Sequence, residues 1–477
     1  MLSSRVFNIL ILIIWLFTGY SISKACDVVV VSSSSAKNGR PIIAKNRDDT
    51  AGFFVAVRRF EAENPAVGSY ICVEKSLYPD NNSICAGGVN ELGFAIANTD
   101  AYTGSTPKEL LSIDVPLMVK ALSNCDRVEC FEQILKDAYS NNPIKETQNY
   151  VTSSNFVVMD AHGGAVHYEA FADLGQQLQL IKHDANITKF SHKTNYIDLH
   201  EIYDSTSLAR DGRLNTLLTD LYYKNELTPK SIMQVVLKDV CNDEDNEQDL
   251  TNFNTRFCIS RAYTRASFVI EGVMPGEDPR YSTLWVSLGE PSLGVYVPVY
   301  PAAHFIPEVV KSNNLGSAPL NIAILNRKLE CGYDNLGSVN VYVETFPLKD
   351  MYIDKLKLYQ LQNSITFPIE NTLIDNDRQV KESLRGNNKY NIEETLKKFS
   401  EDFTLWAYQV YSGNSALPVD SNKEALELWL NAASTNISTV AGQTTTDETT
   451  NQLRNSIENA TKAAMPYFEQ LLKTITN

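Results

Sequence analysis

Hydrophobic positions along this chain come in two patterns. The first is a single apolar run, "ILILIIWLF" from Ile9 to Phe17. After it the apolar residues break into short bursts divided by turn formers. "CDVVVVS" and "RPIIAKN" flank "SSAKNG", and an Asn38-Gly39 pair between β-branched runs predicts a hairpin. "FVAVRRF" and "YICVEK" read as further strands, and "SICAGGVNELGFAIANTD" as two strands around a turn at Glu91 to Gly93. "LMVKAL" and "CFEQILKDAYS" carry apolar residues at helical spacing. "NFVVMDAHGGAVHYEAF" predicts another hairpin turning at Gly163-Gly164. Helical stretches at "GRLNTLLTDLYY" and "PKSIMQVVLKDVC" then precede strands at "ASFVIEGV", "STLWVSLG" and "GVYVPVY". Sheet, helices and sheet again, with connections too short for repeated βαβ crossovers, imply a layered α+β architecture of mainly antiparallel strands. From Asp350 onward the pattern is helical, including "EALELWLNAA" and "NQLRNSIENATKAAMPYFEQLLKTIT", split by the loops "SGNSALPVDSN" and "GQTTTDETT".

The apolar run near the start is too short to span a bilayer core of about 30 Å, which takes roughly 20 helical residues. With Arg5 before it, Gly19 after it, and small residues Ser23 and Ala25 ahead of Cys26, it has the layout of a cleavable secretory signal over residues 1–25. An uncleaved anchor fits the short run less well. A lipoprotein signal also ends before cysteine, but Ser23 and Lys24 suit it poorly. Cleavage after Ala25 would leave Cys26 with a thiol and a free α-amine on one residue. Their ordinary pKa values, about 8.5 and about 7.7 to 8.0, are close enough for the amine to take the thiol proton after a modest shift. A small buried residue, or half of a disulfide, is the plainer account of the same cysteine.

Residues 26–477 carry a net charge of −17, because the leader holds Arg5, Lys24 and no acid. Such an acidic chain disfavours nucleic acid and anionic membranes as partners, since phosphate binding needs clustered Lys and Arg. Eight cysteines, at 26, 72, 85, 125, 130, 241, 258 and 331, leave an odd number once Cys26 is set aside. Cys125 and Cys130 suit a local bridge in an oxidising compartment, while the other pairings stay open. The histidines at 162, 167, 183, 192, 200 and 304 show no metal-ligand spacing, so neither a metal nor another cofactor is expected. Asn81, Asn186, Asn436 and Asn459 each begin an N-x-S/T sequon. "GGVNELG" lies between strands and lacks the phosphate-loop lysine, and the charged runs "DNDRQVKESLR" and "NIEETLKKFSEDF" read as solvated helix faces.

"ACDVVVVS", "NGRPIIAKNRDD", "GGVNELGFAIANTDAY", "SSNFVVMDAHGGAVHYEAF" and "ISRAYTRASFVIEGVMPGEDPRYSTLWVSLGEP", in that order over about residues 26–300, resemble the N-terminal-nucleophile (Ntn) cysteine hydrolases of the isopenicillin-N acyltransferase-like and choloylglycine-hydrolase-like group. The resemblance implies a four-layer αββα Ntn-hydrolase sandwich over 26–345; it thins beyond that point, and residues 346–477 are read from their helical pattern as a C-terminal extension. It implies a secreted, periplasmic or lumenal amidohydrolase or acyltransferase that cleaves a linear amide C–N bond of a small N-acylated substrate. Cys26 would be the nucleophile and Asp48, in "KNRDD", the acid that orients its amine. Lys45 stands where acylases often have arginine, which leaves substrate contacts there open. Asn155 and Asn98 would serve the oxyanion. Arg265 would lie near the nucleophile, with Arg261 as the alternative. Two other readings compete: a cysteine-nucleophile dipeptidase, and a secreted binding protein that keeps the fold without catalysis. Hydrolysis versus acyl transfer, substrate identity and oligomeric state are left open.

Overall fold

The computed structural model describes residues 26–49, 53–77, 83–101, 111–140, 150–172, 177–198, 205–240, 250–251, 253–312, 318–331, 352–386 and 390–413. The leader, the sequons at Asn81, Asn436 and Asn459, His200, Cys241 and the helices expected after residue 413 lie outside them.

Strands β1 (Cys26–Val31), β2 (Ile42–Asp48), β3 (Phe53–Glu61), β4 (Ser69–Leu77), β5 (Ser83–Asn90) and β6 (Ala95–Asp100) are followed by a two-residue β7 (Leu111–Ser112). Helices α1 (Asp114–Asn124) and α2 (Val128–Ser140) lead to β8 (Tyr150–Met159), β9 (Ala165–Ala172) and β10 (Gln179–Asp184). The one-turn helix α3 (Ala185–Thr188), β11 (Phe190–Lys193) and α4 (Ser205–Tyr223) come next. A turn at Pro229–Ser231 runs into a π-helix over Ile232–Leu237. The chain continues through β12 (Phe253–Asn254), β13 (Thr264–Glu271), β14 (Thr283–Ser287) and β15 (Val297–Val299). Then follow α5 (Pro319–Glu330), β16 (Tyr352–Ile353), α6 (Lys355–Leu361), α7 (Phe367–Gly386) and α8 (Ile392–Tyr411).

Two antiparallel sheets form the centre. The six-stranded sheet runs β11-β1-β2-β13-β14-β15 and the eight-stranded sheet β10-β9-β8-β6-β5-β4-β3, with β7 placed against β8. β1 and β2 lie against β6 and β8, α1 packs outside β5 and β6, and the π-helix packs outside β2 and β13. The order is helix, sheet, sheet, helix, a four-layer α+β sandwich.

Side-chain alternation explains the layering. In β8, Val157 and Met159 enter the core between the sheets while Phe156 and Val158 join the cluster beneath α1 and α2. In β1, Val28 to Val31 are all buried, because a strand covered on both faces needs a continuous apolar run rather than alternation. The β1–β2 hairpin closes at Val31 and Ile42 around a loop longer than a tight turn, and Gly39 supplies a φ of +72° in it.

The C-terminal helices are integrated with the sandwich as far as residue 413. Glu370 of α7 accepts from the Tyr296 backbone N–H at 3.0 Å and pairs with buried Lys238 at 2.7 Å. Ser400 of α8 donates to the Pro298 carbonyl at 2.8 Å, and Leu373, Ala407 and Val410 join the main core. Disulfides link Cys125 to Cys130 and Cys72 to Cys85, while the Cys26 and Cys331 thiols are free. Among the described residues no helix is long and apolar enough to cross a membrane.

Candidate active site

Cys26 is the first residue of β1 and sits opposite Arg47 of β2, in the same register that sets Val28 opposite Lys45. Alternation therefore gives Cys26, Lys45 and Arg47 one face of the six-stranded sheet and Asp27 and Asn46 the other. The Lys45 ammonium crosses to the second sheet, donating to the Ala86 carbonyl at 2.8 Å and to Asn98 Oδ1 at 3.0 Å. Cys26 thus lies at the end of the interface between the sheets. Its side is nearly closed: the residue is 7% exposed. Burial pushes its thiol up, and the charges of Lys45 and Arg47 act against that rise. Burial likewise lowers Lys45 to about 8, with attraction to a Cys26 thiolate opposing the drop.

The backbone nitrogen of Cys26 meets Asn195. The register that places Val28 opposite Lys193 and Val29 opposite His192, carried two residues past β11, brings Asn195 opposite Cys26. The Cys26 N–H donates to Asn195 Oδ1 at 2.8 Å. Asn195 Nδ2 in turn donates to Thr99 Oγ1 at 2.9 Å and to the Asp100 carbonyl at 2.8 Å, tying this segment to β6. Arg210 of α4 closes the arrangement from outside the sheet. It donates to the Cys26 carbonyl at 3.2 Å and to Asn195 Oδ1 at 3.0 Å, and it pairs with Asp27, both side chains being fully buried.

Of the residues read from the sequence, Asp48 lies one position past the partner of Cys26 in β2. Its carboxylate accepts from Arg261 Nε at 2.5 Å and from Thr264 Oγ1 at 2.7 Å. The Cys26 nitrogen faces Asn195 rather than this carboxylate. Arg261 is the arginine that grips Asp48, while Arg265, on β13, donates Nε to the Asp49 carbonyl at 3.3 Å. Asn98 sits beside Lys45 with its oxygen accepting, which turns its amide nitrogen the other way. Asn155 uses that nitrogen on the carbonyls of Thr194 at 3.2 Å and Tyr196 at 2.9 Å, so its donors hold the backbone on either side of Asn195. Asn195, Arg210 and Thr99 were not among the sequence candidates. Asn195 stands two residues after "SHK", a place that gains meaning only from the pairing of β11 with β1.

Among the described residues one cluster has metal-ligand chemistry, with ligand atoms of Glu169, His183 and Asp198 within 4.8 Å of one another. The Lys193 ammonium stands among them, 2.6 Å from Asp198 and 3.4 Å from Glu169, and supplies the positive charge there.

Fold and site together define a two-sheet αββα sandwich with a cysteine opening its first central strand. No protein-family model matches the chain, and no curated protein does. Solved structures similar to it include a variant of conjugated bile acid hydrolase from Clostridium perfringens, 13% identical, covering 55% of this chain and 89% of that one at a TM-score of 0.34. Penicillin V acylase from Agrobacterium tumefaciens is 16% identical over 57% of this chain and 86% of its own, at 0.32. A Caenorhabditis elegans ortholog of N-acylethanolamine-hydrolyzing acid amidase is 13% identical over 53% and 94%, at 0.30. At such identities and scores the functional reading stands on the site's own geometry.

Proposed function

We propose that the protein hydrolyses a linear amide C–N bond with Cys26 as nucleophile, once removal of residues 1–25 has made it the first residue. The carrying observation is the placement of the Cys26 nitrogen: it is held by Asn195 Oδ1 at 2.8 Å, at the end of a strand, beside Lys45 and Asn98. A freed amine at that position has an acceptor that fixes its lone pair relative to the thiol on the same residue. The amine takes the thiol proton as sulfur attacks the substrate carbonyl, and gives it to the leaving amine as the C–N bond breaks. Water then enters, passes a proton to the amine and cleaves the thioester, which releases the acid and restores the thiol. The Asn98 amide nitrogen, facing away from Lys45, is a donor for the tetrahedral oxyanion. Asp48, paired with Arg261, supports the end of β2 one position past Arg47, the cross-strand partner of Cys26.

The test is hydrolysis by the mature protein of N-acyl amino acids, bile-salt conjugates, penicillin V and dipeptides, with Cys26→Ser alongside. Turnover of an N-acyl amide that Cys26→Ser loses supports the proposal. Cleavage of dipeptides alone favours the dipeptidase reading, and equal activity in Cys26→Ser removes Cys26 as nucleophile.

A further inference from the structure

The bond pattern around Asn155 determines a tautomer one residue further out. Both acceptors of the Asn155 amide nitrogen are backbone carbonyls, so the orientation of this amide is unambiguous: nitrogen toward Thr194 and Tyr196, oxygen toward His167. Asn155 Oδ1 can only accept, and it lies 3.1 Å from His167 Nε2. The proton of the imidazole is therefore on Nε2. His167 Nδ1, left as an acceptor, lies 2.9 Å from Ser191 Oγ, a hydroxyl that can donate to it. Asn155 is fully buried and His167 is 1% exposed, so water does not complete either contact.

The surroundings keep this ring neutral. His183 of β10 stacks on it at 4.9 Å, and the Lys193 ammonium of β11 adds positive charge nearby. Glu169 of β9 opposes them, but His183 Nε2 contacts its carboxylate at 2.9 Å and Lys193 lies 3.4 Å away. Burial is the largest influence and lowers His167 to about 3.

We propose that His167 is a positioning residue for the nucleophile. As the Nε2–H tautomer it pins the Asn155 amide, whose two donors hold the 194–196 segment so that Asn195 presents its oxygen to the Cys26 nitrogen. The inference rests on the proposed role of Cys26. It assigns to Asn155 the task of shaping the site rather than donating to the oxyanion.

The experiment uses the mature protein and iodoacetamide, with alkylation of Cys26 followed by peptide mass mapping across pH. Parent Cys26 should react faster at neutral pH than Cys331, a buried thiol with no amine of its own to take its proton. In His167→Leu the rate at Cys26 should fall about tenfold, the size that one buried hydrogen bond supplies. His167→Gln, whose side-chain amide can still donate to Asn155, should stay within about threefold, since donation survives. A parent Cys26 no faster than Cys331 overturns the functional reading and this inference with it. A fast parent matched by His167→Leu, with the same pH profile, overturns only the positioning role. Long-range proton–nitrogen NMR of the parent adds a readout independent of reactivity. It should show His167 neutral and protonated on Nε2 from pH 5 to 8. The Nδ1–H tautomer, or titration in that range, overturns the inference even if the kinetics agree.

Discussion

Arg210 carries more of the site than its place on an outer helix suggests, and its removal gives a quantitative test. In Arg210→Met the buried Asp27 carboxylate loses its ion-pair partner, the Cys26 carbonyl loses a donor at 3.2 Å, and Asn195 Oδ1 loses one at 3.0 Å. Breaking a fully buried ion pair from one side costs about 3–5 kcal/mol, because the remaining charge stays in a medium that solvates it poorly. Removing both members, as Asp27→Leu with Arg210→Met, leaves no stranded charge. The double variant should lose only about 1–2 kcal/mol, mainly from the Cys26 carbonyl, left with the longer bond from Thr99 Oγ1 at 3.5 Å. The pH dependence has a definite sign. Burial already pushes the Asp27 carboxyl up, and Arg210 holds it back. Without Arg210 it rises further, so between the unfolded value of about 3.9 and the raised folded value the folded state binds the extra proton. Stability of Arg210→Met relative to the parent should therefore improve as pH falls from 8 to 5.5. Urea unfolding at both pH values measures this through midpoints at unchanged slope. A single-variant loss below about 1 kcal/mol at pH 8, or a double variant no better than the single, would refute the reasoning.

Further outcomes follow from the same geometry. Lys45, lowered to about 8, is charged at pH 7 and loses that charge as pH rises through 8, so turnover of the best panel substrate should decline on that limb. Lys45→Arg keeps the charge and should move the decline upward; an unchanged limb assigns it to another group. Asn98→Ala should lower kcat about 10²- to 10³-fold with little change in KM, the effect of losing one oxyanion donor. A change in KM alone would place Asn98 in ground-state binding. His167, neutral in the fold down to about pH 3 against a usual 6.5, means the unfolded chain binds more protons between those values. Denaturant midpoints should therefore climb with pH across that window, and less steeply in His167→Gln.

Local chemistry was legible in the sequence and distant pairing was not. Gly93, at φ +79°, turns β5 into β6 as the glycine after "NEL" implies, and Gly163, at φ +100°, turns β8 into β9. Cys125 and Cys130 bridge as their spacing allows. The partners of Cys26 were harder to find because Asn195 and Arg210 reach it through the β1–β11 pairing and the docking of α4, neither of which leaves a mark near residue 26. Asn155 shows the limit most clearly. An asparagine on a strand can donate to substrate or to backbone with the same sequence around it. Only the carbonyls of Thr194 and Tyr196, some forty residues on, decide which. The Cys72–Cys85 bridge likewise depends on β4 and β5 being neighbours, which a cysteine count does not reveal.

The central claim is that Cys26 becomes residue one, and the most direct measurement is the intact mass and N-terminal sequence of the protein expressed with its leader. The account predicts a chain that begins at unmodified Cys26, with the amine that Asn195 Oδ1 is placed to hold. A chain that begins elsewhere, or a blocked or lipidated Cys26, would contradict it.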